Sequence, residues 1–145
     1  MRQEPDREYV EMKAFLSLYA DRYLNVEGLP PEKRPIANLE ALEKKSMKTA
    51  SNGLRQAIND CVEVSFHLDH KEVAKLDDQL RSRGIVTLSE LRRRYSKRYA
   101  KIVKQGQIKN DTEYYLIRNV LDDPTTKTAE ERELLEKLIA NYEGT

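Results

Sequence analysis

The sequence has little of several residue types on which common fold classes and sites depend. Its 145 residues include one cysteine, no tryptophan, two phenylalanines, five glycines and five prolines. The single cysteine, Cys61, excludes an internal disulfide framework and a cysteine-rich zinc module. The shortage of glycine and proline, and of tryptophan and phenylalanine, argues against an antiparallel sandwich or barrel. No run approaches the roughly 18 apolar residues of a transmembrane helix, so we expect no membrane partner.

Signals for export and for catalysis are also missing. The first ten residues, MRQEPDREYV, have no apolar core for a secretory signal and are too acidic for a transit peptide. We therefore expect a cytoplasmic protein. The sequence contains no P-loop, no G-x-G-x-x-G and no G-x-S-x-G, and it shows no set of catalytic residue types. We expect no enzymatic activity and no cofactor.

One short stretch has the residue types that bind metals. His67 and His70 follow Cys61 within nine residues. No second cluster of cysteine or histidine exists to complete four ligands, so we predict two ordinary polar histidines at a helix junction and no metal site.

What the sequence does have is helical spacing of its apolar residues. Near the N-terminus, one helical face collects five of them, namely Tyr9, Met12, Leu16, Tyr19 and Tyr23. This pattern predicts an arm helix within residues 1–28, followed by a proline-rich connection over 29–35 and a helical core over 36–145. Such a seam can pack on a second copy of the chain or close the core of its own chain. Of the two we favour a homodimer through the N-terminal helix.

A long apolar stripe follows the proline-rich connection. Its members are Leu39, Leu42, Ala50, Leu54, Ala57, Cys61 and Val64. They share one face if a helix runs unbroken from Ile36 to Val64. Gly53 is the obvious place for a break, but the stripe keeps its phase on both sides of this glycine. We therefore predict one long central helix, and two shorter helices remain the alternative.

Helix starts in the second half of the chain are marked by capping boxes. In each, a capping residue is followed three residues later by glutamate: Asp69–Glu72, Thr87–Glu90, Asn110–Glu113 and Thr128–Glu131. Four such signatures, together with the apolar periodicity, predict an all-α fold. We expect a single-domain bundle of five to seven helices over residues 1–145, built around the long central helix.

Charge is distributed unevenly along the chain. The formal net charge is +1. Residues 67–109 nevertheless contain 12 basic and 5 acidic side chains, a net of +7. Residues 110–145 contain 4 basic and 9 acidic side chains, a net of −5. A strongly basic middle followed by an acidic tail is the most informative chemical feature of the sequence.

The basic middle centres on a helix predicted from Leu88 to Lys104. Five cations fall within an arc of about 100° opposite its apolar stripe. We call them the basic ridge: Arg93, Arg94, Lys97, Lys101 and Lys104. Like charges at i and i+4 destabilise a helix by a few tenths of a kcal/mol per pair, so the ridge should meet negative charge somewhere.

Three partners would supply that negative charge. The interpretation we favour is an acidic surface of another protein, which makes the chain a small binding or regulatory protein of the inhibitor, immunity or adaptor type. The alternative is nonspecific binding of nucleic acid through the same helix. The third interpretation is neutralisation within the chain by the last helix, through Glu130, Glu131, Glu133 and Glu136. If the ridge binds a partner, Arg94→Glu with Lys97→Glu should abolish binding and leave the fold intact, whereas internal neutralisation makes the same change destabilising.

Overall fold

The fold is entirely helical. A computed structural model describes residues 7–24, 28–125 and 127–144. Within these ranges there are eight α-helices and no strand, which confirms the all-α prediction. The helices are α1 (Arg7–Tyr23), α2 (Pro35–Lys45), α3 (Met47–Val64), α4 (His70–Ser82), α5 (Leu88–Tyr95), α6 (Lys97–Gln105), α7 (Asp111–Asp122) and α8 (Ala129–Glu143). The expected count of five to seven was too low, because two predicted helices are each divided in two.

The first division is at Ser46. Its backbone is extended, with φ −170° and ψ 131°, so α2 ends there and α3 begins. The prediction of one long central helix from Ile36 to Val64 is therefore wrong. Two helices are present, but Gly53 lies inside α3 rather than at the break. A Cβ atom on this glycine would be 3.1 Å from Cδ1 of Leu42, so its role is to admit a close neighbour from α2.

The second division falls within the predicted basic helix. Ser96 has φ −72° and ψ 126°, and its N–H donates to the carbonyl of Arg92 at the end of α5. Its hydroxyl oxygen accepts from the N–H of Tyr99, which caps the start of α6. A single helix from Leu88 to Lys104 is thus also wrong. The basic ridge is shared between two helices, with its arginines on α5 and its lysines on α6.

All four capping residues predicted from sequence are caps in the structure. The side chains of Asp69, Thr87, Asn110 and Thr128 each accept a backbone N–H from the first turn of the following helix. The glutamates three residues later have other roles in three cases. Glu90 accepts from arginines of its own helix, Glu113 accepts from the N–H of Lys109, and Glu131 accepts from Arg93 and from the hydroxyl of Tyr99.

The chain divides into two compact units, and the single-domain organisation stays a prediction. The first unit consists of residues 1–61 and 84–86. In it α1 packs against α2. The first four residues of the predicted seam, Tyr9 to Tyr19, are buried in this unit, so the arm closes its own core. A homodimer through α1 remains a prediction, and it would have to use the exposed side of the helix, where Val10 is 53% exposed.

The second unit consists of residues 62–83 and 87–145. Its centre is α7, which packs against α4, α5, α6 and α8. The core around α7 is made by nine buried side chains: Tyr99, Ile102, Ile108, Leu116, Ile117, Val120, Leu135, Leu138 and Ile139. Among the helices described, none is both long enough and apolar enough to cross a membrane.

The cap at Ser96 is open to a direct test. We expect Ser96→Ala to lower the free energy of unfolding by about 1 kcal/mol, because the N–H of Tyr99 loses its acceptor. Urea unfolding followed by circular dichroism measures the change. Ser51→Ala, at an exposed position inside α3, is the matched control and should stay within about 0.5 kcal/mol of wild type. Equal stability of the two variants would contradict the capping role.

Candidate binding surface

The basic ridge separates into an inner and an outer group. Arg93 and Arg94, in the last turn of α5, have side chains that are 24% and 29% exposed. On α6 the three lysines of the ridge, Lys97, Lys101 and Lys104, are exposed. The two halves of the predicted site therefore have different surroundings.

The inner group surrounds a buried carboxylate. The side chain of Glu90 is 1% exposed. Arg93 donates to both of its oxygens, from Nε and Nη2 at 2.8 Å each, and Arg94 donates from Nε at 2.8 Å. A bidentate guanidinium is the strongest common partner of a carboxylate. The hydrogen bonds that Arg93 donates to Glu90 raise the pKa of Arg93 above its ordinary value. The two arginines thus compensate a charge that belongs to the chain itself.

Glu131 of α8 extends this arrangement. Arg93 Nη1 donates to Glu131 Oε2 at 3.0 Å, and the hydroxyl of Tyr99 donates to Glu131 Oε1 at 2.7 Å. Burial, followed by the hydrogen bond to Glu131, raises the pKa of Tyr99. We call Glu90, Arg93, Arg94, Tyr99 and Glu131 the Glu90 cluster. It links α5, α6 and α8, and it corresponds in part to the internal neutralisation considered from the sequence.

Two further buried carboxylates belong to the same unit. Asp77 accepts from the N–H and the hydroxyl of Ser89, and burial raises its pKa to about 6. Asp123, whose side chain is 1% exposed, accepts from Arg81 Nη2 at 3.0 Å. Each of these acids has a partner within the chain, which indicates structural roles.

The outer group lies on one side of α6. At about 100° per residue, Lys97, Lys101 and Lys104 fall within an arc of about 60°. In the part of the chain that the structure describes, none of their ammonium groups pairs with an acidic side chain. Arg98 is also exposed and lies beside this arc. We call Lys97, Arg98, Lys101 and Lys104 the α6 basic face.

Two hollows lie along the N-terminal half of α7, next to the α6 basic face. One hollow of about 270 Å³ lies between α7, the start of α4 and the 3₁₀ turn Ser65–His67. A second hollow of about 370 Å³ lies between α6 and α7 and is lined by Arg98 and Lys101. Both hollows share Thr112 and Leu116. We call the two hollows together the α7 groove.

Aromatic rings and guanidinium groups contact one another in the α7 groove. The guanidinium carbons of Arg92 and Arg98 are 4.3 and 4.4 Å from the centroid of the Phe66 ring, which is cation–π distance. The rings of His70 and Tyr115 are stacked at 3.8 Å and are inclined by 7°. Sequence reasoning missed these five residues as a group. Two features of the sequence could have pointed to this group. Arg92 flanks the apolar stripe of the predicted basic helix, and Phe66 is one of only two phenylalanines.

The candidate metal residues do not come together as a site. His70 stacks on Tyr115, while His67 Nδ1 lies 2.6 Å from the carbonyl oxygen of Val64. Among the described residues, no group of three or more His, Cys, Asp or Glu could hold a metal ion. Cys61 is buried, and burial raises the pKa of its thiol to about 11, so the reactive thiolate is scarce near neutral pH.

Comparison with other proteins does not extend this description. No protein-family model, no curated protein and no solved structure matches the chain. The functional conclusion therefore depends on the α6 basic face and the α7 groove themselves.

Removing the buried acid should be costly. We expect Glu90→Ala to lower the free energy of unfolding by about 3 kcal/mol, because Arg93 and Arg94 are then left half-buried without their carboxylate. Urea unfolding measures this loss. Lys101→Ala, which removes an exposed charge from α6, should stay within about 0.5 kcal/mol of wild type.

The same geometry changes the meaning of the charge-reversal experiment suggested by the sequence. Arg94→Glu would place a second carboxylate against Glu90, so the variant should be destabilised whether or not a partner binds. A stable Arg94→Glu protein, or a Glu90→Ala protein as stable as wild type, would contradict the role given to the Glu90 cluster.

Asp77 should make stability depend on pH. Its folded-state pKa of about 6 lies above the ordinary value of 3.8, so the folded state holds the proton more tightly than the unfolded state. Stability from this group is then greatest below pH 4 and is lost as pH rises from about 4 to 6, by about 3 kcal/mol. Asp77→Asn removes the titration. Relative to wild type, the variant should gain stability across that window, as measured by unfolding at several pH values, and a constant difference would refute the assignment.

Proposed function

We propose that this chain is a non-enzymatic, cytoplasmic binding or regulatory protein, of the inhibitor, immunity or adaptor type, that engages an acidic surface of a partner protein. The observation that carries the proposal is the α6 basic face. It presents three lysines that pair with no acid among the residues described, on a helix whose other side is held in the core by Tyr99 and Ile102. An acidic partner would relieve the mutual repulsion of these lysines.

Within this proposal the five residues of the basic ridge have two tasks. Lys97, Lys101 and Lys104 contact the partner. Arg93 and Arg94 act behind them, since their bonds to Glu90 hold the end of α5 from which α6 departs.

Charge favours a protein partner over nucleic acid. The three lysines span roughly 10 Å of helix at 1.5 Å per residue. Tight nucleic-acid binding usually engages about six to ten phosphates over a longer track. The chain as a whole has a formal net charge of only +1, which gives little long-range attraction to a polyanion. A compact acidic patch on a protein matches the size of this face better.

The test reverses the exposed lysines only. We expect the triple variant Lys97→Glu, Lys101→Glu, Lys104→Glu to lose partner binding by at least about tenfold while it keeps the melting temperature of wild type. Glutamate at the start of α6 is favourable and at its end unfavourable, so the two helix-dipole effects offset each other. A matched control is Lys44→Glu, Lys45→Glu, Lys48→Glu, which makes the same charge change at exposed positions of α2 and α3.

Affinity capture with the wild-type chain and mass spectrometry identify the partner, and titration of the purified pair gives the affinity of each variant. Binding that survives the α6 triple variant, or that both triple variants weaken equally, would overturn the proposal. Excess absorbance at 260 nm in the captured material, together with an affinity that falls steeply as salt is added, would show that the α6 basic face binds nucleic acid instead.

A further inference from the structure

The α7 groove combines an apolar lining with positive charge at one end. Leu68, Val73 and Leu116 line the hollow near the start of α4, and Arg98 and Lys101 line the hollow beside α6. Thr112 lines both hollows and is exposed. One ligand could therefore occupy both hollows if it carried an apolar group and negative charge close together.

The Phe66 ring restrains the side chain of Arg98 in a position that suits anion binding. Its guanidinium lies 4.4 Å from the centroid of the Phe66 ring. A guanidinium that packs its face on an aromatic ring still presents its edge N–H groups, which suit a carboxylate. Because the ring restrains the side chain before binding, less conformational entropy is lost when a carboxylate arrives.

The acidic side chains of the groove are already engaged. Asp69 accepts from the N–H groups of Lys71 and Glu72 at 2.9 Å, as the cap of α4. Glu113 accepts from the N–H of Lys109 and from the side-chain amide of Gln105, at 2.8 and 3.0 Å. Their charges are therefore partly compensated by these donors. Within the described chain, Lys101 has no such partner, and Arg98 has the Phe66 ring.

We propose that the α7 groove binds an extended acidic segment of the partner protein. One aliphatic side chain of that segment fills the hollow lined by Leu68, Val73 and Leu116, and neighbouring carboxylates bind Arg98 and Lys101. This inference rests on the proposed function, because it assigns the form of the acidic partner that the α6 basic face engages.

The occupied aromatic rings favour a peptide over single-stranded nucleic acid. Nucleobases bind such grooves by stacking on open aromatic faces. Here Phe66 is in contact with two guanidinium groups, and Tyr115, which is 38% exposed, is stacked on His70 and makes a T-shaped contact with Tyr114, with centroids 5.1 Å apart. An aliphatic side chain needs no open ring, only apolar walls.

The variant that tests the groove is Thr112→Tyr. Tyrosine at this exposed position would fill the junction of the two hollows without entering the core or changing the charge. Thr49→Tyr, at an exposed position early in α3, is the matched control. The melting temperature of each variant shows whether it is folded.

The probes are three labelled molecules of similar length. They are an acidic peptide with one central leucine, the same peptide with alanine in place of leucine, and an oligouridine RNA. We expect the leucine peptide to bind wild type about tenfold more tightly than the alanine peptide, since several buried methylene groups are lost. Thr112→Tyr should remove this preference, and Thr49→Tyr should retain it. Arg98→Lys should weaken both peptides several-fold although the charge is kept.

Chemical-shift changes of the wild-type chain provide a readout that does not depend on any variant folding. On addition of the leucine peptide, the largest changes should fall on the backbone amides of Phe66, Arg98 and Thr112. Any of five outcomes would overturn the proposal that the α7 groove binds an acidic segment. They are shift changes confined to other residues, equal binding of the two peptides, unaltered binding by Thr112→Tyr, tighter binding of the RNA, and no binding of either peptide.

The two proposals fail in different ways. Suppose that the α6 triple variant loses the purified partner and that Thr112→Tyr binds it as wild type does. The proposal for the α7 groove is then wrong, and the proposal for the α6 basic face is supported. If the α6 triple variant still binds that partner, the proposed function itself is wrong.

Discussion

The carboxylate of Glu90 is the constraint on which the second unit depends. A charged group that is 1% exposed costs several kcal/mol unless hydrogen-bonded cations surround it. Arg93 and Arg94 satisfy this requirement because positions i+3 and i+4 lie on the same side of a helix as position i. Glu131 then binds Arg93 and Tyr99, which brings α8 and α6 into the same arrangement. One buried acid thereby fixes how three helices meet.

The requirement at Glu90 also explains why a strongly basic segment has only part of its charge at the surface. Arg93 and Arg94 are held against Glu90 by hydrogen bonds, and Ser96 then ends α5 before the lysines begin. On α6 the buried positions are taken by Tyr99 and Ile102, so the lysines face outward. Charge that looks uniform along the sequence is divided between a group of arginines bound to Glu90 and a group of exposed lysines.

Local signals in the sequence were sufficient for much of the fold. The caps at Asp69, Thr87, Asn110 and Thr128 depend on a side chain and an N–H two or three residues away, so the pattern alone predicts them. The apolar periodicity predicted the all-α class for a similar reason. The N-terminal seam was also identified, although it packs within its own unit.

The breaks at Ser46 and Ser96 were not predictable from the same signals. At Ser46 one extended residue redirects the helix axis, but buried residues on both sides, such as Leu39 and Ala50, keep their inward positions. The apolar stripe therefore keeps its phase across the break and does not reveal it. Ser96 is followed three residues later by Tyr99 instead of an acid, so no capping box marks it. The α7 groove was out of reach because it joins residues from separate segments, including Phe66, Arg98 and Leu116.

The extended residue at Ser96 has a consequence for how this protein can change over generations. Substitutions of Arg93 or Arg94 are judged by folding, since each leaves Glu90 without part of its compensation. Substitutions of the exposed Lys97, Lys101 or Lys104 leave Glu90 and its hydrogen bonds in place. The fold therefore constrains the arginine half of this basic segment more strongly than the lysine half.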